Sequence, residues 1–122
     1  MRRRGFTLIE LVVVMAIVAL LISIAAPRYF KHVDRAKEAV LRQSLFVMRD
    51  AIDKFHGDMG RYPLTLDELV VKEYLRKVPV DPLTESAESW VGIPYPGKEV
   101  GTYDVHSGAP GDGSDGTPYA EW

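Results

Sequence analysis

The chain has 122 residues, 47% of them apolar and none of them cysteine, with 15 lysines and arginines against 17 aspartates and glutamates. That length suits one domain, and the absence of thiols excludes a disulfide framework, a thiolate metal site and a cysteine nucleophile. A net charge of −2 excludes nucleic-acid binding driven by bulk positive charge.

The charge is unevenly placed: residues 1–27 carry +2, residues 28–77 carry +3 and residues 78–122 carry −7. Such polarity either serves head-to-tail contacts between copies or is solubilising charge with no partner.

Phe6 to Ala26, FTLIELVVVMAIVALLISIAA, is a run of 21 residues with a single charge, Glu10. As a helix rising about 1.5 Å per residue it matches the roughly 30 Å hydrocarbon layer of a bilayer. Arg2, Arg3 and Arg4 precede it, which keeps that flank in the cytoplasm. A cleaved secretory signal competes with a membrane anchor here. Ser23-Ile24-Ala25 and Ile24-Ala25-Ala26 are weak small-x-small sites, although the apolar core of such a signal is ordinarily about 7–15 residues.

Glu10 fits neither reading well. A carboxylate at mid-span costs about 2.5–3.5 kcal/mol, somewhat less near an end, and neither an anchor nor a signal needs one. The span holds no Lys or Arg to offset it. Cutting the chain between Gly5 and Phe6 would free an amine four residues before Glu10, one helical turn away on the same face. That amine pairs with Glu10 of its own chain or with Glu10 of a neighbour, where the pair sets the axial register of packed helices.

Arg4-Gly5-Phe6-Thr7-Leu8-Ile9-Glu10, followed by this apolar span, resembles the class III leader and N-terminal helix of type IV pilins and type II secretion pseudopilins. The resemblance implies a leader over residues 1–5, cleaved by the prepilin peptidase after Gly5. It also implies N-methylation of Phe6 by the same enzyme, and a role for Glu10 in subunit recruitment. Pro27 matches the family as well. Proline removes the bond to the carbonyl of residue 23 and crowds it, which kinks or loosens one turn, and in a packed filament this implies a stretch able to unwind.

From Arg28 to about His56 the apolar positions keep a helical period, with a stripe through Val40, Leu45, Met48, Ile52 and Phe55 as the core face of a head domain. Glu38–Arg42, Arg49–Asp53 and Asp50–Lys54 are i,i+4 opposite-charge pairs on the other face, and Gly57 and Gly60 end the helix. Gly60-Arg61-Tyr62-Pro63 is a turn, and Thr65-Leu66-Asp67-Glu68 reads as a capping box opening a short helix. Each proline of Val78-Pro79-Val80-Asp81-Pro82 disfavours helix in the residue before it. Trp90–Ile93 and Thr102–His106 have strand composition, and Tyr119–Trp122 is expected to close the sheet. The Gly60–Pro63 turn and Leu75–Pro82 are similar to segments that recur in the major, or G-type, pseudopilin.

Gly108–Gly116 is glycine-rich with two acids, and hard cations want about six to eight oxygens, many from backbone carbonyls. Major pseudopilins carry calcium in their C-terminal loop, so the resemblance implies Asp112, Asp115 and Ser107 as ligands. The loop is short and two carboxylates are few, and the alternative is that its Asp-Gly pairs only make turns. His32, His56 and His106 form no ligand pair on one helix face. Asp104, His106 and Ser107 suggest a triad, but on a strand Ser107 points away from the other two. With no nucleophile elbow, oxyanion hole or phosphate loop, no enzymatic activity is expected.

The expectation is therefore an α+β pilin-like fold. A long N-terminal helix, transmembrane over 6–27 and amphipathic beyond, packs on a short helix and a small antiparallel sheet with a C-terminal loop; 28–122 form a periplasmic head. The resemblance implies a structural subunit of a periplasmic pseudopilus that drives protein export through the outer membrane. Its implied partners are copies of itself, other pseudopilins, the prepilin peptidase, inner-membrane lipid, the assembly platform, the outer-membrane secretin and, indirectly, the secretion ATPase. Glu10 argues against the tip subunit, which typically lacks the acid. The alternative is a type IV or minor pilin in adhesion, twitching or DNA uptake. The absence of cysteine and the −7 charge of residues 78–122 weigh against it.

Overall fold

The computed structural model describes residues 4–122. They form two compact units, residues up to Asp34 and Arg35–Trp122. The elements in order are α1 (Leu8–Met59), α2 (Leu66–Val71), β1 (Val91–Ile93), β2 (Asp104–His106) and a 3-10 turn, η1 (Tyr119–Glu121).

The first unit is the short segment before α1 and the helix as far as Asp34. The helix begins at Leu8 rather than at Phe6, and Leu11 N–H donates its first backbone bond to the Thr7 carbonyl at 3.1 Å. Its large apolar side chains from Leu8 to Ile24 are exposed. Pro27 lies inside the helix, which continues through it.

In the head unit α1 supplies Leu41, Leu45, Met48, Ala51, Ile52 and Phe55 to the core. The spacing 41, 45, 48, 52, 55 is the alternating four-and-three step of one helix face. Leu41 therefore holds the position expected of Val40, which is 53% exposed. α1 ends where Gly60 takes φ +72° and returns its N–H to the His56 carbonyl at 2.9 Å, a conformation that costs glycine little. Gly57 does not help to end it and stays within the helix.

Leu69 of α2, Leu75 and Trp90 close over this stripe. Val78–Pro82 is non-helical, as its prolines require, and the Trp90 indole donates to the Pro79 carbonyl at 2.8 Å. β1 and β2 pair antiparallel with Gly92 opposite Val105, which puts Val105 in the core. A Cβ at Gly92 would come within 3.2 Å of the Thr102 hydroxyl, a tight contact that Thr102 would have to yield to. Two three-residue strands cannot stand alone, and their stability comes from this packing.

The expected third strand is not formed. Tyr119–Glu121 is a 3-10 turn, because Glu121 and Trp122 N–H groups bond three residues back, to Pro118 and Tyr119, instead of across a sheet. Near it only an isolated bridge joins Asp112 to Pro118.

Candidate functional site

Two regions carry the residues that the sequence singles out: the start of α1 and the C-terminal loop.

At the start of α1 the Gly5–Phe6 peptide lies ahead of the helix, in a non-helical segment where both residues are exposed and a Cβ on Gly5 would meet nothing within 4 Å. Thr7 caps the helix. Its hydroxyl accepts the Glu10 N–H at 3.1 Å, while a Glu10 carboxylate oxygen accepts the Thr7 N–H at 3.4 Å. This reciprocal pair is a capping box, satisfying two of the N–H groups that a helix start leaves open. It also puts negative charge at the positive end of the helix dipole. Both bonds use residues that survive cleavage after Gly5. Glu10 is thus held by Thr7, and a new amine on Phe6 would be added beside it. Arg2 and Arg3 of the expected leader lie outside the described residues; Arg4 is exposed.

The Thr-x-x-Glu pattern thus works at Thr7, where it was not anticipated, and fails at Thr65, where it was. Thr65 is the N-cap of α2 but makes no side-chain cap bond. Glu68 turns instead to the Leu64 N–H at 2.7 Å and to the Arg61 guanidinium. Beyond the cap, α1 is long and apolar enough to cross a membrane by length and composition, and none of its most apolar stretch is buried among the described residues.

The C-terminal loop is tied to α1. Glu38 is 7% exposed, and it accepts the Ser114 N–H at 2.7 Å, the Ser114 hydroxyl at 2.6 Å and the Tyr119 hydroxyl at 3.0 Å. The Ser114 hydroxyl bond, above all, holds the Glu38 carboxyl below its ordinary range despite burial, which acts the other way. Arg42 reaches Asp115 at 3.3 Å and lies 4.2 Å over the Trp122 ring. Asp115 also accepts the Thr117 N–H and hydroxyl, and the hydroxyl bond is the main cause of its lowered pKa. Of the three expected i,i+4 pairs only Asp50–Lys54 forms, at 2.7 Å; Arg49 leaves Asp53 for Asp104 at 2.8 Å.

Two of the three expected calcium ligands, Ser107 and Asp115, are engaged by other side chains. The Ser107 hydroxyl donates to buried Asp81 at 2.6 Å, and Asp115 already holds a guanidinium and two threonine donors. Among the described residues no group of three His, Asp or Glu side chains is placed to hold a metal ion. As arranged, this donor set does not fit calcium. Nor do Asp104, His106 and Ser107 form a triad. His106 Nε2 lies 3.8 Å from Asp104, but its Nδ1 engages the Trp122 carbonyl at 2.6 Å and Ser107 is committed to Asp81. Asp81, which sequence reading did not single out, is fully buried and also accepts the Leu83 N–H at 2.8 Å. The prolines on either side of it were the only local sign of a fixed turn.

A capped, exposed apolar helix starting just after a Gly-Phe bond, continued by a small α+β head, defines a pilin-like protein. Residues 1–26 match the family model of the prokaryotic N-terminal methylation motif. Type II secretion system core protein G of Pseudomonas aeruginosa is 35% identical, covering 95% of this chain and 91% of its own length. The Escherichia coli protein of that name is 31% identical over 95% of this chain and 87% of its own. The type IV major pilin protein PilA of Myxococcus xanthus is 39% identical, but over only 50% of this chain and 28% of its own length. No solved structure matches significantly. The chain belongs to the type II secretion system core protein G family.

Proposed function

We propose that the chain is the major structural subunit of a pseudopilus, a filament in the periplasm that drives protein export, and that it carries out no catalysis itself. The Thr7–Glu10 cap at the start of an unburied apolar helix, directly after Gly5–Phe6, carries this reading. Hydrolysis of the Gly5–Phe6 bond by the prepilin peptidase leaves a carboxylate on Gly5 and an ammonium on Phe6; once that ammonium has lost a proton, its nitrogen takes the methyl group of a sulfonium donor, which leaves as the thioether. Before assembly the span lies in the inner membrane with its N-terminus in the cytoplasm and its head in the periplasm. On assembly the spans leave lipid for one another, and the Phe6 ammonium and Glu10 set their register. Work comes from a cytoplasmic ATPase through the membrane platform, and the filament meets the outer-membrane secretin.

Mass spectrometry of the mature N-terminus tests the reading. Methylated Phe6 supports it, whereas an intact Met1 or a cut near Ala26 overturns it. A pilin role has the partial PilA match behind it, and gene neighbourhood separates the two: a secretin with several pseudopilin genes favours secretion, a retraction ATPase favours pili.

A further inference from the structure

A groove of about 840 Å3 runs along the head between α1 and the C-terminal residues, with Phe46, Asp53, Glu121 and Trp122 among its walls. Its charges do not balance internally. Asp104 is paired with Arg49, Asp115 with Arg42 and Asp50 with Lys54, while Asp53 and Glu121 have no ion-pair partner among the described residues. Phe46, on α1, is 66% exposed beside them.

The other unit holds the complementary set. Arg28-Tyr29-Phe30-Lys31 places two exposed cations, neither with an ion-pair partner among the described residues, around two exposed rings whose centroids are 5.9 Å apart. Exposed aromatic side chains bracketed by unpaired charge are characteristic of a surface that becomes buried against a partner.

We infer that the groove of one copy receives the Arg28–Lys31 segment of a second copy. Arg28 and Lys31 meet Asp53 and Glu121, and the Tyr29 and Phe30 rings cover Phe46. Two unpaired cations answer two unpaired acids, and each side also carries exposed aromatic surface. Complementary charge of this kind selects partner and register more than it adds affinity. The inference rests on the reading that the chain polymerises and names the surfaces by which heads and helices of different copies meet.

The chain has no native cysteine, so site-directed cross-linking is clean. Full-length Phe30→Cys and Phe46→Cys chains are co-expressed, filaments are sheared from the cells, and disulfides are read on non-reducing gels. The expected result is a mixed dimer absent when either variant is expressed alone. In parallel, Asp53→Lys with Glu121→Lys, and Arg28→Glu with Lys31→Glu, each abolish filaments, and all four together restore them. Tryptophan-fluorescence melting confirms that each head is folded; a variant that is not is judged through the cysteine pair.

Wild-type filaments with no mixed dimer overturn the groove inference and leave polymerisation standing. A wild-type chain with methylated Phe6 that never polymerises overturns the underlying reading and this one with it. Normal filaments from Arg28→Glu with Lys31→Glu, coupled with loss of binding to vesicles containing phosphatidylglycerol, assign those cations to lipid and also overturn it.

Discussion

Glu38→Gln tests how the C-terminal loop is held. The substitution keeps the shape and nearly the helix propensity of the side chain. It removes the charge and turns one of two acceptor oxygens into a donor facing the Ser114 hydroxyl, now 2.6 Å away. Hydrogen bonds to a charged group are worth about 1.5–3 kcal/mol each, and the amide still accepts at one oxygen, so the net loss is about 2 kcal/mol. For a head of this size that lowers the melting temperature by roughly 10 °C. Both tryptophans, Trp90 and Trp122, lie in the head, so fluorescence melting of the detergent-solubilised full chain reads the head alone.

The pH dependence follows from the sign of the shift. The Glu38 carboxyl in the folded chain titrates below its ordinary 4.5. Its contribution is therefore complete above the unfolded value and disappears as pH falls through the folded one. Wild type and variant differ by a constant margin from neutral pH down to about pH 5 and converge below that. A variant that melts within about 2 °C of wild type at neutral pH, or a margin that persists in acid, refutes the account of the loop.

Phe55→Ala empties a fully buried position that also meets the Tyr74 ring at 5.4 Å; it costs about 3–5 kcal/mol and is expected to leave no cooperative tryptophan transition near physiological temperature. Millimolar calcium should not change the melting temperature relative to chelator, because Ser107 and Asp115 are already engaged; a rise would show that the loop rearranges around the ion. Glu10→Ala loses the carboxylate half of the capping box but keeps the span. It should still insert and be cleaved yet yield no sheared filaments, and normal filaments would give the acid another role.

The long helix and its apolar span were legible in the sequence. Each depends on residues within a few turns of one another, where period and hydropathy act locally. The errors at Val40 and at the chain end lay where distant residues compete, whereas the missed Thr7 cap and the expected Thr65 cap were local misreadings. One residue of frame separates Val40 from Leu41, and only α2, Trp90 and Val105 packing on the helix selects the second. The chain end reads as strand by composition, but its amides close locally into η1 instead of pairing with β2.

The same division holds for charge. Sequence by itself determined that α1 has an apolar and a charged face, although it put Val40 in the core and Glu38, which is buried, on the charged side. It did not determine the partners of the charged side chains. Glu38, Arg42 and Arg49 find theirs 76, 73 and 55 residues away, in Ser114, Asp115 and Asp104. An i,i+4 pair on an exposed helix is worth only about 0.2–0.5 kcal/mol, while a bond to a charged group in a part-buried site, as at Glu38 and Arg49 but not at exposed Arg42, is worth several times more. Which of these forms depends on whether the C-terminal loop folds back onto the helix, and that was decided only by tertiary packing.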